Sequence, residues 1–88
     1  MRREPDYFEQ QGDELVLLYI AKKLRDALAI EDLLTRSGVD YLVEVDYYIG
    51  GLIFRGERAG AFIYVPAPLR ESAAALLIGQ RFTPAALE

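Results

Sequence analysis

The stretch Tyr41–Val65 constrains the fold more than any other part of this chain. It reads YLVEVDYY, then IGGLIFRGERAG, then AFIYV. In the first run, Tyr41, Val43, Val45 and Tyr47 fall on one side of a pleated strand, and Leu42, Glu44, Asp46 and Tyr48 on the other. Ala61, Ile63 and Val65 repeat the alternation, with Phe62 and Tyr64 opposite. A period of two, rich in Val and Tyr, marks strands with one well-buried face. Between the runs lie Gly50, Gly51, Gly56 and Gly60. That link is too long for a two-residue turn, so an extended hairpin arm or loop is expected.

The flanks supply the remaining elements. Leu15–Ala21 (LVLLYIA) is a short continuous apolar run, expected as a strand covered on both faces. Strict alternation puts Val16, Leu18 and Ile20 on one face and Leu15, Leu17 and Tyr19 on the other. Lys23–Ser37 reads as a helix with Leu24, Ala27, Ile30, Leu33 and Leu34 inward, Leu28 off the stripe, and Gly38 as its stop. Pro66 and Pro68 end the last strand and open a helix over Leu69–Ile78, with Leu69, Ala73, Leu76 and Leu77 inward. Residues 1–14 read as a flexible N-terminal arm, with docking through Tyr7 and Phe8 as the alternative. Residues 80–88 form a C-terminal tail, in which Arg81–Thr83 could extend.

The order strand, helix, strand, strand, helix predicts an α+β domain over residues 15–79. The expected form is ferredoxin-like βαββα, with a three-stranded, mainly antiparallel sheet and both helices on one face. Ala61–Val65 is expected at the centre, and the helical crossover allows the first strand to run parallel to the third. No convincing fourth strand exists, so the edge of Leu15–Ala21 is left for the tail, the arm or a second subunit.

Composition sets the next limit. A chain of 88 residues buries only somewhat more than roughly 60% of its unfolded surface. Yet 52% of its residues are hydrophobic, which is hard to hide inside one small core. Leu17, Tyr19, Leu42, Phe62 and Tyr64 are expected together on the sheet face away from the helices. An apolar patch of that size needs a cover. A homo-oligomer, with a dimer favoured, is therefore expected through this face or its edge.

Several chemistries are disfavoured outright. The chain has no Cys and no His, so disulfides, thiolate chemistry and the common zinc sites are excluded. A carboxylate-only site for magnesium or calcium stays open, but no loop has the required spacing, and no metal or cofactor is expected. A formal charge of −4 argues against a nucleic-acid partner. The opening MRREPDYFEQQGDE does not read as a secretory signal, and the longest apolar run is far too short to span a bilayer. A cytoplasmic, non-membrane protein is expected.

The elements now resemble a family. The strand LVLLYIA, the helix ALAIEDLLTRSGV, the strand YLVEV, the Gly-rich link and AFIYVPA before an Ala-rich helix look like the small prokaryotic signal-transducing protein domain. That domain is related in fold to the PII-type, GlnB-like proteins. The resemblance covers about Glu14–Ile78. It implies a ferredoxin-like fold and a signalling role, with no agreed catalytic residues. PII proteins bind nucleotide at subunit clefts and carry a long loop where Ile49–Gly60 lies here, but their nucleotide-binding motifs are not visible in this chain. Lys22-Lys23, where a helix cap is usual, departs from the family pattern.

The candidate sites are few. Arg55 and Arg58 flank Gly56 in the link, a combination of planar forks and approachable backbone that suits a small anionic ligand. Tyr47 and Tyr48 could stack on it. The plainer reading is a charged turn in water beside ordinary strand residues. Glu44 and Asp46 could serve as a carboxylate pair, or equally as a solvated strand edge that resists aggregation. Lys22, Lys23 and Arg25 could hold an anion at a helix start, or simply be solvated. The hydroxyls of Thr35, Ser37, Ser72 and Thr83 sit in no nucleophile or phosphate-loop context. The sequence therefore favours a non-catalytic domain that transduces a signal, or binds a ligand or protein partner, as an oligomer. The alternatives are a small enzyme with an inter-subunit cleft and a purely structural interaction domain.

Overall fold

The computed structural model describes residues 1–46 and 60–85. The chain runs α1 (Pro5–Gln11), β1 (Leu15–Ala21), α2 (Leu24–Arg36), β2 (Leu42–Asp46), β3 (Gly60–Pro66), a 3-10 turn (Ala67–Leu69) and α3 (Arg70–Gly79). The strands form an open antiparallel sheet in the order β1-β3-β2, with β3 central. The architecture is thus α+β, compatible with a ferredoxin-like layout. The expectation that the first strand parallels the third is corrected, because β1 pairs antiparallel with β3. The parallel pair is β1 and β2. The helical crossover returns the chain in its original direction one strand away, and β3 fills the gap running the other way.

The core lies between the sheet and α2 and α3. Leu18, Ile30, Leu34, Ile63, Val65, Ala73 and Leu77 form its buried cluster, joined by Val39 and Tyr41. Helix α2 reaches it through Ala27, Ile30 and Leu34, spaced to share one face. Its end is a Schellman motif: Gly38 takes φ 78° and donates to the Thr35 carbonyl, while Val39 donates to that of Leu34. Val39 and Leu34 are both buried, so the motif also aims the chain into β2. Two expected inward residues are corrected. Leu24 is 75% exposed because it opens the helix, a turn before the stripe meets the sheet. Leu69 is exposed because it closes the 3-10 turn rather than joining α3.

A β-bulge in β1 rearranges the expected faces. Leu17 opposes Tyr64 and Tyr19 opposes Ile63, leaving Leu18 as the extra residue. One extra residue reverses which way every later side chain points. Val16, Leu18, Tyr19 and Ala21 therefore face the helices, and Leu15, Leu17 and Ile20 face away. Tyr19, expected on the outer face, is corrected to the helix side, where it packs against the core and meets Phe82 edge-on at 5.6 Å. Burial, followed by the charge of Asp26, pushes its phenol above the usual range.

The same bulge seats the C-terminal tail. Arg70 donates from Nε to the Leu17 carbonyl at 3.3 Å and also holds the Ala85 carbonyl, while the Ala85 amide donates to Leu18 at 2.8 Å. The tail, one of the covers expected for this strand, meets it through these bonds. Arg81–Thr83 does not extend into a strand, since Arg81 turns back with φ 71°.

Candidate functional site

Two surfaces stand out, one at the start of β2 and one across the outer face of the sheet. The first is built around Asp40. Helix α2 stops at Gly38, so Asp40 sits in the short bend just before β2 with both carboxylate oxygens available. Oδ1 accepts from Arg3 Nε at 3.1 Å, and Oδ2 accepts from the Tyr7 hydroxyl at 3.0 Å. The Arg3 guanidinium also lies 4.4 Å over the Tyr7 ring. The terminal ammonium donates to the Val39 carbonyl at 2.6 Å and stands 3.6 Å from Asp40. Backbone pairing adds register: Arg3 donates to the Tyr41 carbonyl at 2.8 Å, and the Tyr41 amide donates to Met1 at 3.1 Å. Arg2 and Tyr41 thereby make an isolated parallel bridge just before β2. Tyr41 itself is buried, and its hydroxyl reaches Glu31 at 3.0 Å and Thr35 at 3.3 Å.

Residues 1–14 are thus not a free arm but a docked strap. Its helix α1 starts at Pro5, where a missing N–H costs nothing, and ends at Gly12 with φ 72°. Its buried residue is Phe8, at 1% exposure. Phe8 and Leu42 are the large apolar side chains buried outside the helix-side cluster among the described residues. Leu42 opposes Tyr64, so it points away from the helices. The strap is fastened two residues away, at Asp40, which brings α1 to the Leu42 end of the sheet.

The electrostatics of Asp40 follow from that docking. Partial burial pushes its carboxyl up. The hydrogen bonds from Tyr7 and Arg3, the charge of Arg3 and the terminal ammonium outweigh this and hold it below the usual carboxylate range. Tyr7 moves the other way, raised first by its hydrogen bond to Asp40 and then by that carboxylate's charge. A carboxylate with both oxygens occupied and a depressed pKa is a poor proton acceptor at neutral pH.

A pH prediction follows with a definite sign. Because the docked Asp40 holds its proton less tightly than a free carboxyl, its contribution is complete above the ordinary value of 3.8. It is lost as pH falls below that point through the lowered folded value. Titrating from about pH 5 to about pH 2 should shift the Arg3 and Tyr41 amide resonances before those of β3. Asp40→Asn should remove that early step. Simultaneous loss of both sets of signals would contradict a separately released strap.

The second surface is the rest of the outer face. Leu15, Leu17, Ile20, Phe62 and Tyr64 are half-buried there, and Glu44 on β2 is exposed. Of the residues expected on an oligomer face, Leu17, Phe62 and Tyr64 share it. Leu42 shares it too but is buried, and Tyr19 is on the opposite side. Lys22, Lys23 and Arg25 are exposed around the start of α2, and Lys23, its cap residue, makes no side-chain capping bond. Tyr47, Tyr48, Arg55, Gly56 and Arg58, expected to hold an anion, lie outside the described residues, as does the side chain of Asp46. No group of three or more Asp or Glu residues that could hold a metal occurs among the described residues.

Sequence reasoning missed Asp40 and Arg3. They are far apart in the chain, and nothing local marks either one. Tyr7 and Phe8, the only large apolar groups of residues 2–14, were the available signal. The class these features define is a small α+β domain with helices packed on one sheet face and an N-terminal strap reaching the other. No family model, curated protein or solved structure matches the chain. No helix among the described residues is long and apolar enough to cross a membrane.

Proposed function

We propose that this chain is a non-catalytic, cytoplasmic module of ferredoxin-like, PII-like type that self-associates and transduces a signal by binding a small ligand or a protein partner. The observation that carries the proposal is the outer sheet face. Leu17, Ile20, Phe62 and Tyr64 stay half-exposed there, whereas Leu42, at the strap end, is buried. Burying such side chains against a second copy removes apolar surface from water at about 25 cal/mol per Å². Support also comes from Asp40, a carboxylate committed to docking, and from the absence of Cys and His in the sequence. Sedimentation of the full chain at micromolar concentration tests this reading. A species of twice 9.9 kDa is expected, and Phe62→Glu should reduce it to the single-chain mass. A wild-type chain that sediments only at 9.9 kDa across that range would overturn the proposal.

A further inference from the structure

We propose that the surface made by Asp40, Tyr41 and the start of β2 is a peptide-docking site whose occupant in trans is the N-terminal strap of a second copy of this chain. The occupant in cis already displays the chemistry the site takes. It is an extended basic segment followed by a helical turn that delivers a phenol and a phenyl ring. Arg3 and Tyr7 satisfy the two oxygens of Asp40, the backbones of Met1 and Arg3 pair with Tyr41, and Phe8 is buried. The polar anchors of residues 1–7 outside the strap fall on one short locus, Val39–Tyr41, while Glu14, at the strap's far end, accepts from the Ala67 amide at 2.8 Å.

The joint to the rest of the fold is short, and its uncrowded point is Gly12. Only Gly12, Asp13 and Glu14 separate α1 from β1. Gly12 adopts φ 72° with nothing within 4 Å of where a Cβ would stand, so it can change conformation without displacing a neighbour. The helix-side core, from Leu18 to Leu77, contains no strap residue, so it survives undocking. An element held at one locus and joined by a glycine hinge can satisfy the same contacts between two copies as within one, which is the requirement for exchange. In cis the strap competes at an effective concentration on the order of millimolar, so exchange is seen when the cis contact is weakened.

This inference rests on the self-association proposed above but assigns part of it to a different surface, so the two can fail separately. The experiment uses full-length Arg3→Glu and Asp40→Arg, each alone, mixed in equal amounts, and combined in one chain. Alone, each variant has a mismatched strap and site. Mixed, each strap finds its complement on the other copy, Arg3 on Asp40 and Glu on Arg, so native mass spectrometry should show a hetero-pair at least 10-fold above the amount in either variant alone. The doubly substituted chain restores the cis contact and should return to wild-type behaviour.

Failure of the mixture to pair beyond the separate variants would overturn the strap exchange while leaving a wild-type dimer through the sheet face intact. Pairing in the mixture with a wild type that stays single would uphold exchange and sink the sheet-face reading. A synthetic peptide of residues 1–12 covers the case in which a variant does not fold. Added to the Phe8→Ala chain, whose own strap is weakened, it should shift the Tyr41 amide resonance saturably, and a peptide carrying Glu in place of Arg3 should shift it at least 10-fold less. Equal shifts by both peptides, or no shift by either, would overturn the proposal.

Discussion

Gly60→Ala should be the most damaging single methyl group that can be added to the described residues. Gly60 opens β3 at φ 153°, and a Cβ built there stands 2.7 Å from the Ala21 carbonyl oxygen. That oxygen belongs to the backbone at the end of β1, so it cannot swing aside as a side chain would. The close approach exists because Ala21 and Ala61 are paired and Gly60 leads the chain into that register. Relief requires either moving the ends of β1 and β3 apart or rotating Gly60 out of its pairing with Asp46. Strain of this kind, with the loss of ladder bonds it forces, costs about 3–5 kcal/mol. A small domain holds about 5–15 kcal/mol in total, so Gly60→Ala should lose a large part of its stability. Urea unfolding of the variant and the wild type measures this directly. A midpoint unchanged within error would show that the sheet end is far softer than this geometry requires. The other glycines test the argument, because Gly79 has nothing within 4 Å and no positive φ, so Gly79→Ala should be nearly neutral.

Phe8→Ala should have the second largest effect, and its character matters as much as its size. Removing a fully buried phenyl ring costs about 3–5 kcal/mol when the rest of the structure stays in place. Phe8 is 1% exposed, so the full range applies if α1 stays docked. The strap has another choice. Its polar anchors to Asp40 are partly exposed, with side-chain exposure of 37% for Arg3 and 29% for Asp40, and such ion pairs hold weakly in water. Without the ring they should not keep the strap in place. Undocking caps the loss at the free energy of docking and transfers the cost to Leu42, which becomes exposed. Hydrogen exchange separates the outcomes. The Arg3 and Tyr41 amides, which bridge strap and strand, should lose protection, while those of β3 keep theirs. Uniform loss of protection across the sheet would mean that the strap is an integral part of the core.

Much of the secondary structure was legible because its signals are local. The run LVLLYIA forms β1 from its first residue to its last, and the central position of β3 follows from two strands, a crossover helix and a returning strand. The end of α2 was readable from Gly38, since a left-handed residue closing a helix is a property of the few residues around it. Two features resisted for opposite reasons. The bulge at Leu18 left no local mark, because LVLLYI is apolar at every position and so permits either parity. The strap was invisible because Arg3 and Tyr7 meet Asp40 across 37 and 33 residues, and a polar segment carries no periodicity that would point to its mate.

The sequence by itself determined the three strands, the helices α2 and α3, where α2 stops and which strand is central, but not helix α1. These follow from alternation, helical spacing and glycine placement, all set within a few residues. Only the tertiary structure decided which way Tyr19 points, which segment meets β1 at its bulge, and that Asp40 gathers the N-terminal residues onto the outer face. Those outcomes depend on how an irregular ladder relieves crowding and on charges brought together from distant parts of the chain, and such terms exist only once the chain has closed on itself.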